Sequence, residues 1–371
     1  MGGDLSAVML LSGCMKMDIL YTYPDYLENI VESLMERDWL VHNFDGVADS
    51  QIYSFSDYLY NKQEKGVTYT VYLDLNIYQF ILNAFKKSKP KQESRDAIAL
   101  VSFCQFAEIE LDPTCAVYEK INYRKDDQVL DEVISDLELF HRINNINNSS
   151  IVEFALGDVD VLVPAASYTV RSNVTKSNLT KYRRLREWDS LYLIVVYVIY
   201  VSQLPNLSKL DKLTKVVEWM VVEFRLSLVG ITFAAIYFSD KPMKRMMKYK
   251  MSDEPCSKQR SAFNMTWDLY NLSRYFRMWT ERVPGQEGIF ASGDKVLNAV
   301  LRRSIKVQQN GCLDCFKDFL PQDIVSYMEK ITFQPGEHFN RVYNSPDWSP
   351  SYRDELIRKY ESLTGIRHSG A

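Results

Sequence analysis

Two short motifs carry a carboxylate at the point where an apolar strand gives way to a helix. In Thr68-Tyr69-Thr70-Val71-Tyr72-Leu73-Asp74-Leu75-Asn76 a β-rich run ends on Asp74 and Asn76 and tips into the apolar stretch 77–85. In Ile289-Phe290-Ala291-Ser292-Gly293-Asp294 a second short apolar strand ends on a small-residue turn with Asp294, and helical spacing resumes at Lys295. A buried parallel strand with Asp at its carboxyl end sets a charge where α/β folds keep their ligands. Such a charge is costly unless offset, and a divalent cation is its usual partner. Both Asp residues also suit a simpler duty, capping the helix that follows.

Two further acids stand on helices. Glu119 follows Pro113-Thr114-Cys115-Ala116-Val117-Tyr118, a segment opened by Asp112 as N-cap and Pro113 at the first helical position. Its apolar neighbours argue for a packed helix, while the adjacent Lys120 allows an exposed Glu. Asp268 shares one helix face with Asn264 and Asn271 at i, i+4, i+7 spacing, flanked by Phe263, Trp267 and Tyr270. That stripe is either buried and functional or a solvated polar face. Asp189 is a rival for this position and also reads as the N-cap of the helix after it.

The elements that would position these acids follow from hydrophobic period and punctuation. Helical patterns cover residues 26–39, 95–108 (with Ser94 as N-cap) and 126–142, then 187–204, 209–224 and 226–238, and finally 261–282, 295–305, 321–331 and 353–362. Residues 144–150 read as a loop, and 167–178 as a polar, mobile segment. The charged connector 61–66 marks a boundary. The expected organisation is an accessory segment at 1–65, a main domain at 66–310 with a helical insertion around 125–260, and an extension at 311–371. Strands separated by helices predict an α/β domain with a parallel sheet between helical layers.

The order strand-Asp-X-Asn, helix-Glu, helix-Asp, strand-Ser-X-Asp-Lys-X-Leu resembles the PIN-like nuclease superfamily over roughly residues 68–305. The interval from Glu119 to Asp268 is longer than in compact members, and Ser292 stands where Thr is common. The resemblance implies a three-layer α/β/α fold with a central parallel sheet and extra helices. It implies that Asp74, Glu119, Asp268 and Asp294 converge on Mg²⁺ or Mn²⁺, with Asn76 and Ser292 as polar supports. The implied activity is hydrolysis of phosphodiester bonds, in RNA, by metal-activated water. Basic runs that could hold a polyanion are Lys86, Lys87, Lys89 and Lys91, then Lys181, Arg183, Arg184 and Arg186, and then Lys241, Lys244, Arg245, Lys248 and Lys250. The last run interleaves Met243, Met246, Met247 and Tyr249, which suits backbone contact with stacking. Each run equally fits a solvated face.

Composition narrows the remaining classes. The 371 residues carry a formal net charge of -4, so the chain total does not mark a basic nucleic-acid binder. The six Cys are scattered and read as reduced thiols, and Cys312-Leu313-Asp314-Cys315 lacks the second ligand pair of a zinc site. His42, His141, His338 and His368 are dispersed, and no Ser/His or Cys/His nucleophile is evident. The apolar runs 191–201 and 226–238 are shorter than a membrane span and read as buried helices. The expectation is a cytoplasmic enzyme with a nucleic-acid substrate and no membrane association, whose accessory parts mediate oligomerisation or bind a regulatory protein. The rivals are a non-catalytic RNA-binding or protein-interaction module and a membrane-associated helical protein.

Overall fold

The computed structural model describes residues 8–12, 16–20, 23–123, 128–163, 165, 172–181, 186–248, 250, 252–333 and 349–367. The chain forms a mixed α/β structure that is mostly helical, with a small four-stranded mixed sheet and a two-stranded antiparallel pair, β1 (Val8–Ser12) with β2 (Lys16–Leu20). It divides into two compact units: Met1–Lys181 with Glu281–Gly293, and Tyr182–Thr280 with Asp294–Ala371.

The first unit contains the four-stranded sheet. Its helices are α1 (Tyr26–Arg37), α2 (Phe55–Lys65), α3 (Leu75–Lys86), α4 (Gln92–Phe106), α5 (Thr114–Tyr123), α6 (Gln128–Asn144), α7 (Asn148–Leu156) and α8 (Ser172–Thr180). The sheet strands are β3 (Leu40–His42), β4 (Thr68–Leu73), β5 (Glu110–Asp112) and β6 (Gln286–Ala291), in the order β3-β6-β4-β5. β4 runs parallel to both β5 and β6, and its register sets Tyr69 beside Glu287 and Leu73 beside Ala291. β3 is antiparallel to β6, so the sheet is mixed rather than wholly parallel as the sequence predicts. The difference arises because β3 comes from residues read as an accessory segment: a three-residue strand, Leu-Val-His, is too short to show an alternating pattern.

Local signals account for most helix ends. Ser54 opens α2 by accepting from the Asp57 backbone N–H, and Gly66 closes it at φ +67°, a conformation open to Gly and strained for most residues. Asp112 accepts from Thr114 N at the start of α5, at 2.7 Å. Ser94 is not the cap of α4. Lys91 holds that position, and Ser94 lies one turn inside the helix, buried. Likewise, the expected loop at 144–150 yields to α7, capped by Asn147 through the Ser149 N–H. The core of this unit includes Val71, Leu73, Ile289 and Ala291 from the strands, and Ile77, Tyr78, Ile81, Phe103, Phe140 and Phe154 from the helices.

The second unit is helical: α9 (Arg186–Gln203), α10 (Lys209–Val222), α11 (Leu228–Tyr237), α12 (Pro255–Thr280), α13 (Lys295–Asn310), α14 (Gln322–Phe333) and α15 (Pro350–Thr364). α9 packs on α12 and α15, and α11 packs on α13. The two apolar runs become the buried bodies of α9 and α11. Among the described residues no helix is long and apolar enough to cross a membrane. The expected main domain, 66–310, contributes to both units.

Candidate functional site

Asp74 is the N-cap of α3, and three donors fix its buried carboxylate. Oδ1 accepts from Leu75 N at 2.8 Å, while Oδ2 accepts from Ser292 Oγ at 2.7 Å and from Asn76 Nδ2. Asn76 also donates to Ser292 Oγ at 3.3 Å, and its Oδ1 accepts from Gly293 N at 2.8 Å. Backbone bonds anchor the same corner: Asp74 N donates to Ala291 O at 2.9 Å, and Ser292 N to Trp39 O at 3.0 Å. The parallel register of β4 and β6 brings these residues together, because both strands end at the same level. The result is an oriented carboxylate with the polar supports Asn76 and Ser292 attached to it. A side-chain clamp of this kind is how proteins hold a metal-ligating or catalytic carboxylate in place.

Glu119 lies on α5 and is 6 % exposed. α5 packs on β4, α3 and α6, so the helix is the packed one expected, and the alternative of an exposed Glu does not hold. Nearby chemistry that sequence reasoning missed is Asp136 of α6, buried and paired with both Lys86 and Lys120. Asp136 reads in sequence as part of an amphipathic helix, and nothing local marks it. Lys86, expected on a polyanion-binding loop, is thereby tied to a carboxylate, whereas Lys87, Lys89 and Lys91 are exposed.

In the second unit, Asp268 sits on α12 with its side chain 29 % exposed and paired with Lys248, Nζ to Oδ2 at 2.8 Å. Burial raises its carboxyl above the usual range. Lys248 opposes that shift, and the negative charge of Asp294 adds to it. Asp268 and Asp294 therefore sense one another electrostatically. On the same polar stripe Asn271 is fully buried, so that face of α12 is not simply solvated. Asp294 caps α13, accepting from Val296 N at 2.8 Å and Leu297 N at 3.3 Å. Asp189 is not an N-cap: α9 begins at Arg186, and Asp189 pairs with Arg353 at 3.1 Å.

Among the described residues no group of three or more His, Cys, Asp or Glu side chains is arranged to hold a metal ion. The capping duties weighed for Asp74 and Asp294 are both real. Of the last basic run, Lys241, Lys244, Arg245 and Lys250 are exposed, Met246 is buried and Lys248 faces Asp268. Lys181 is exposed, while Arg183, Arg184, the Arg186 side chain, Tyr249, His338 and His368 lie outside the described residues. No family model matches the chain, nor does any curated protein or solved structure.

Proposed function

We propose that this protein is a metal-dependent nuclease of the PIN-like type, with a three-layer α/β/α core and extra helices, acting on RNA in the cytoplasm. The observation that carries the proposal is the Asp74 carboxylate, held by Ser292, Asn76 and the Leu75 N–H at the carboxyl ends of two parallel strands. Further support comes from the repetition of the strand-turn-Asp-helix pattern at Asp294 and from its electrostatic coupling to Asp268.

By donor type these acids suit Mg²⁺ or Mn²⁺, while among the described residues no three of them are grouped to hold the ion. Carboxylate oxygens are the hard ligands these ions take, and Mg²⁺ needs only one or two from the protein, with water and phosphate oxygens completing the shell. The candidate donors under this reading are Asp74 and Glu119 in the first unit and Asp268 and Asp294 in the second. When bound, such an ion makes water a nucleophile near neutral pH and offsets charge on the phosphodiester. The chain's own residues do the rest. Asn76 and Ser292 orient Asp74, and Lys87, Lys89, Lys91, Lys241, Lys244, Arg245 and Lys250 attract the substrate backbone. A second copy of the chain or a regulatory protein would bind through the accessory parts.

One observation favours a different reading, a non-catalytic RNA-binding or protein-interaction module on the same fold: Lys248 already neutralises Asp268. The two part on one experiment. Labelled single-stranded RNA is incubated with Mg²⁺ or Mn²⁺ and with wild type, Asp74→Asn or Asp294→Asn. Asn keeps the helix cap in each case; loss in Asp294→Asn reports the charge, and loss in Asp74→Asn reports the charge together with the acceptor that Ser292 and Asn76 use. The nuclease predicts cleavage that chelation abolishes and that each variant lowers by about 100-fold, as for loss of a group that stabilises developing charge. Retention of RNA with no cleavage would leave the binding module, and equal cleavage by all three proteins would end the metal mechanism.

A further inference from the structure

At the opposite end of the sheet from Asp74, where β4 and β6 begin, the first unit contains a cleft of about 570 Å³. That is within the size range of small-molecule sites. It opens between α2, the segment 43–52 after β3, and the first residues of β4 and β6. Its aromatic part is closely packed. Tyr58 and Tyr69 meet edge to face at 4.7 Å, Phe44 meets Tyr69 at 5.6 Å, and Tyr58 Oη donates to Ile52 O at 2.7 Å.

The charge in this cleft is unevenly matched. Three carboxylates line it, Asp45, Asp57 and Glu287, against two cations, Arg282 and Lys65. Both cations are engaged: Arg282 Nη2 lies 3.2 Å from Glu287 Oε1, and Lys65 Nζ lies 5.5 Å above the Tyr60 ring. The register pairs Glu287 with Tyr69, so both side chains stand on one face of the sheet. Glu287 Oε2 is buried and accepts no hydrogen bond from the described residues. Burial raises the Glu287 carboxyl, Arg282 opposes the rise, and Asp45 reinforces it. Burial raises the Tyr69 phenol, and the charges of Glu287 and Asp57 add to the rise, so both carboxylates act on that ring. A carboxylate with one oxygen beside Arg282 and the other accepting no hydrogen bond, set against aromatic walls, matches a ligand that brings a positive charge on an apolar body. The aromatic walls favour an organic cation over a bare metal ion, which aromatic rings do not ligate. Anions meet a net negative rim.

We propose that this cleft binds a small organic cation, an ammonium or guanidinium carried on an aromatic or aliphatic body, with Glu287 and Asp57 facing the charge and Tyr60 and Tyr69 facing the body. The site is separate from the candidate nuclease centre, and its existence does not depend on RNA cleavage.

Titration calorimetry of the full chain with three probes of similar shape tests it: tyramine, p-ethylphenol, which lacks the ammonium, and p-hydroxyphenylacetate, which replaces it with a carboxylate. Agmatine serves as a guanidinium probe without a ring. Tyramine or agmatine is expected to bind one per chain, at least about tenfold more tightly than the neutral and anionic probes, the discrimination expected from one charge-assisted hydrogen bond. Glu287→Gln is expected to weaken the cation about tenfold or more and leave p-ethylphenol unchanged. Asp57→Asn, at an exposed position on α2, makes the same test in a variant whose folding is not at risk. The proposal is overturned if neither cation binds at millimolar concentration. It is equally overturned if the three ring probes bind alike, or if both variants bind the cations as wild type does.

Discussion

Ser292 Oγ donates to Asp74 Oδ2 at 2.7 Å across a separation of 218 residues, and both groups are buried. This bond ties the end of β6 to the cap of α3. It makes the Asp74 carboxylate at once a local helix cap and part of a long-range clamp, two demands that fix its orientation.

Ser292→Ala removes one donor to Asp74 Oδ2 and leaves Asn76 Nδ2 on that oxygen. The expected loss of stability is about 1.5–3 kcal/mol, the contribution of a hydrogen bond to a charged group. Urea unfolding measures it, and a loss below roughly 0.5 kcal/mol, the level of an ordinary surface change, would show that the clamp is structurally idle. Under the nuclease proposal the same variant lowers metal affinity or cleavage by about 10–100-fold, the usual effect of removing a group that orients a ligand.

Gly293 marks the other side of the clamp. A Cβ there would sit 3.2 Å from Asn76 Oδ1 and 3.5 Å from Trp39 Nε1. Gly293→Ala should displace the Asn76 amide and weaken the bond that Gly293 N donates to it, at a cost of about 1 kcal/mol. In a double-mutant cycle with Asn76→Ala the cost should shrink, because the displaced group is already gone. Strict additivity of the two thermal-unfolding effects would show that Cβ does not act through Asn76.

Asp268 gives a pH signature. Burial holds its folded-state carboxyl above the usual range, despite the opposing charge of Lys248 and with Asp294 adding to the rise. The folded state therefore keeps a proton that the unfolded chain releases. This contribution to stability is fully present below the unfolded pKa and is lost as pH rises through the folded one. Asp268→Asn removes it. The stability of wild type minus that of the variant should decline with rising pH across the window above the ordinary Asp pKa, and then level off. Urea midpoints along a pH series check this, and a difference that grows with pH would reverse the assignment.

Arg95 is a structural anchor that Lys cannot replace. Its Nη1 donates to Phe154 O at 2.6 Å and Val159 O at 3.0 Å, Nη2 pairs with Asp160, and the guanidinium lies 5.0 Å from the Phe154 ring centroid. A single ammonium does not reproduce that fork. Arg95→Lys should cost about 1–3 kcal/mol, as for a hydrogen bond to a charged group. Amide exchange should speed up selectively at the end of α7 and in residues 157–160, and unchanged protection there would refute the anchoring role.

Within the range of a helical turn, the sequence is a reliable guide. Asp74 and Asp294 are recognisable as strand-end acids that open helices because a cap is decided by residues i to i+3, and both do cap. The apolar runs 191–201 and 226–238 are recognisable as buried helices because their length alone rules out a span. Short elements are not legible in this way. β3 and β5 have three residues each, too few for a period, and Ser94 looks like a cap although the helix starts earlier. Ion pairs were beyond reach for a related reason: Lys86 and Lys120 on Asp136, or Lys248 on Asp268, join segments 16 to 50 residues apart.

The sequence by itself determined which carboxylates stand at element ends and the secondary structure around them, since capping chemistry and hydrophobic period act locally. Only the tertiary structure decided that Ser292 and Asn76 close on Asp74 and that Glu287 stands beside Tyr69. Those neighbours are set by strand order and register, with β4 and β6 paired in parallel across more than 200 residues of intervening chain. Register is fixed by the fit of whole buried faces, and no short stretch of sequence records which distant strand supplies the other half.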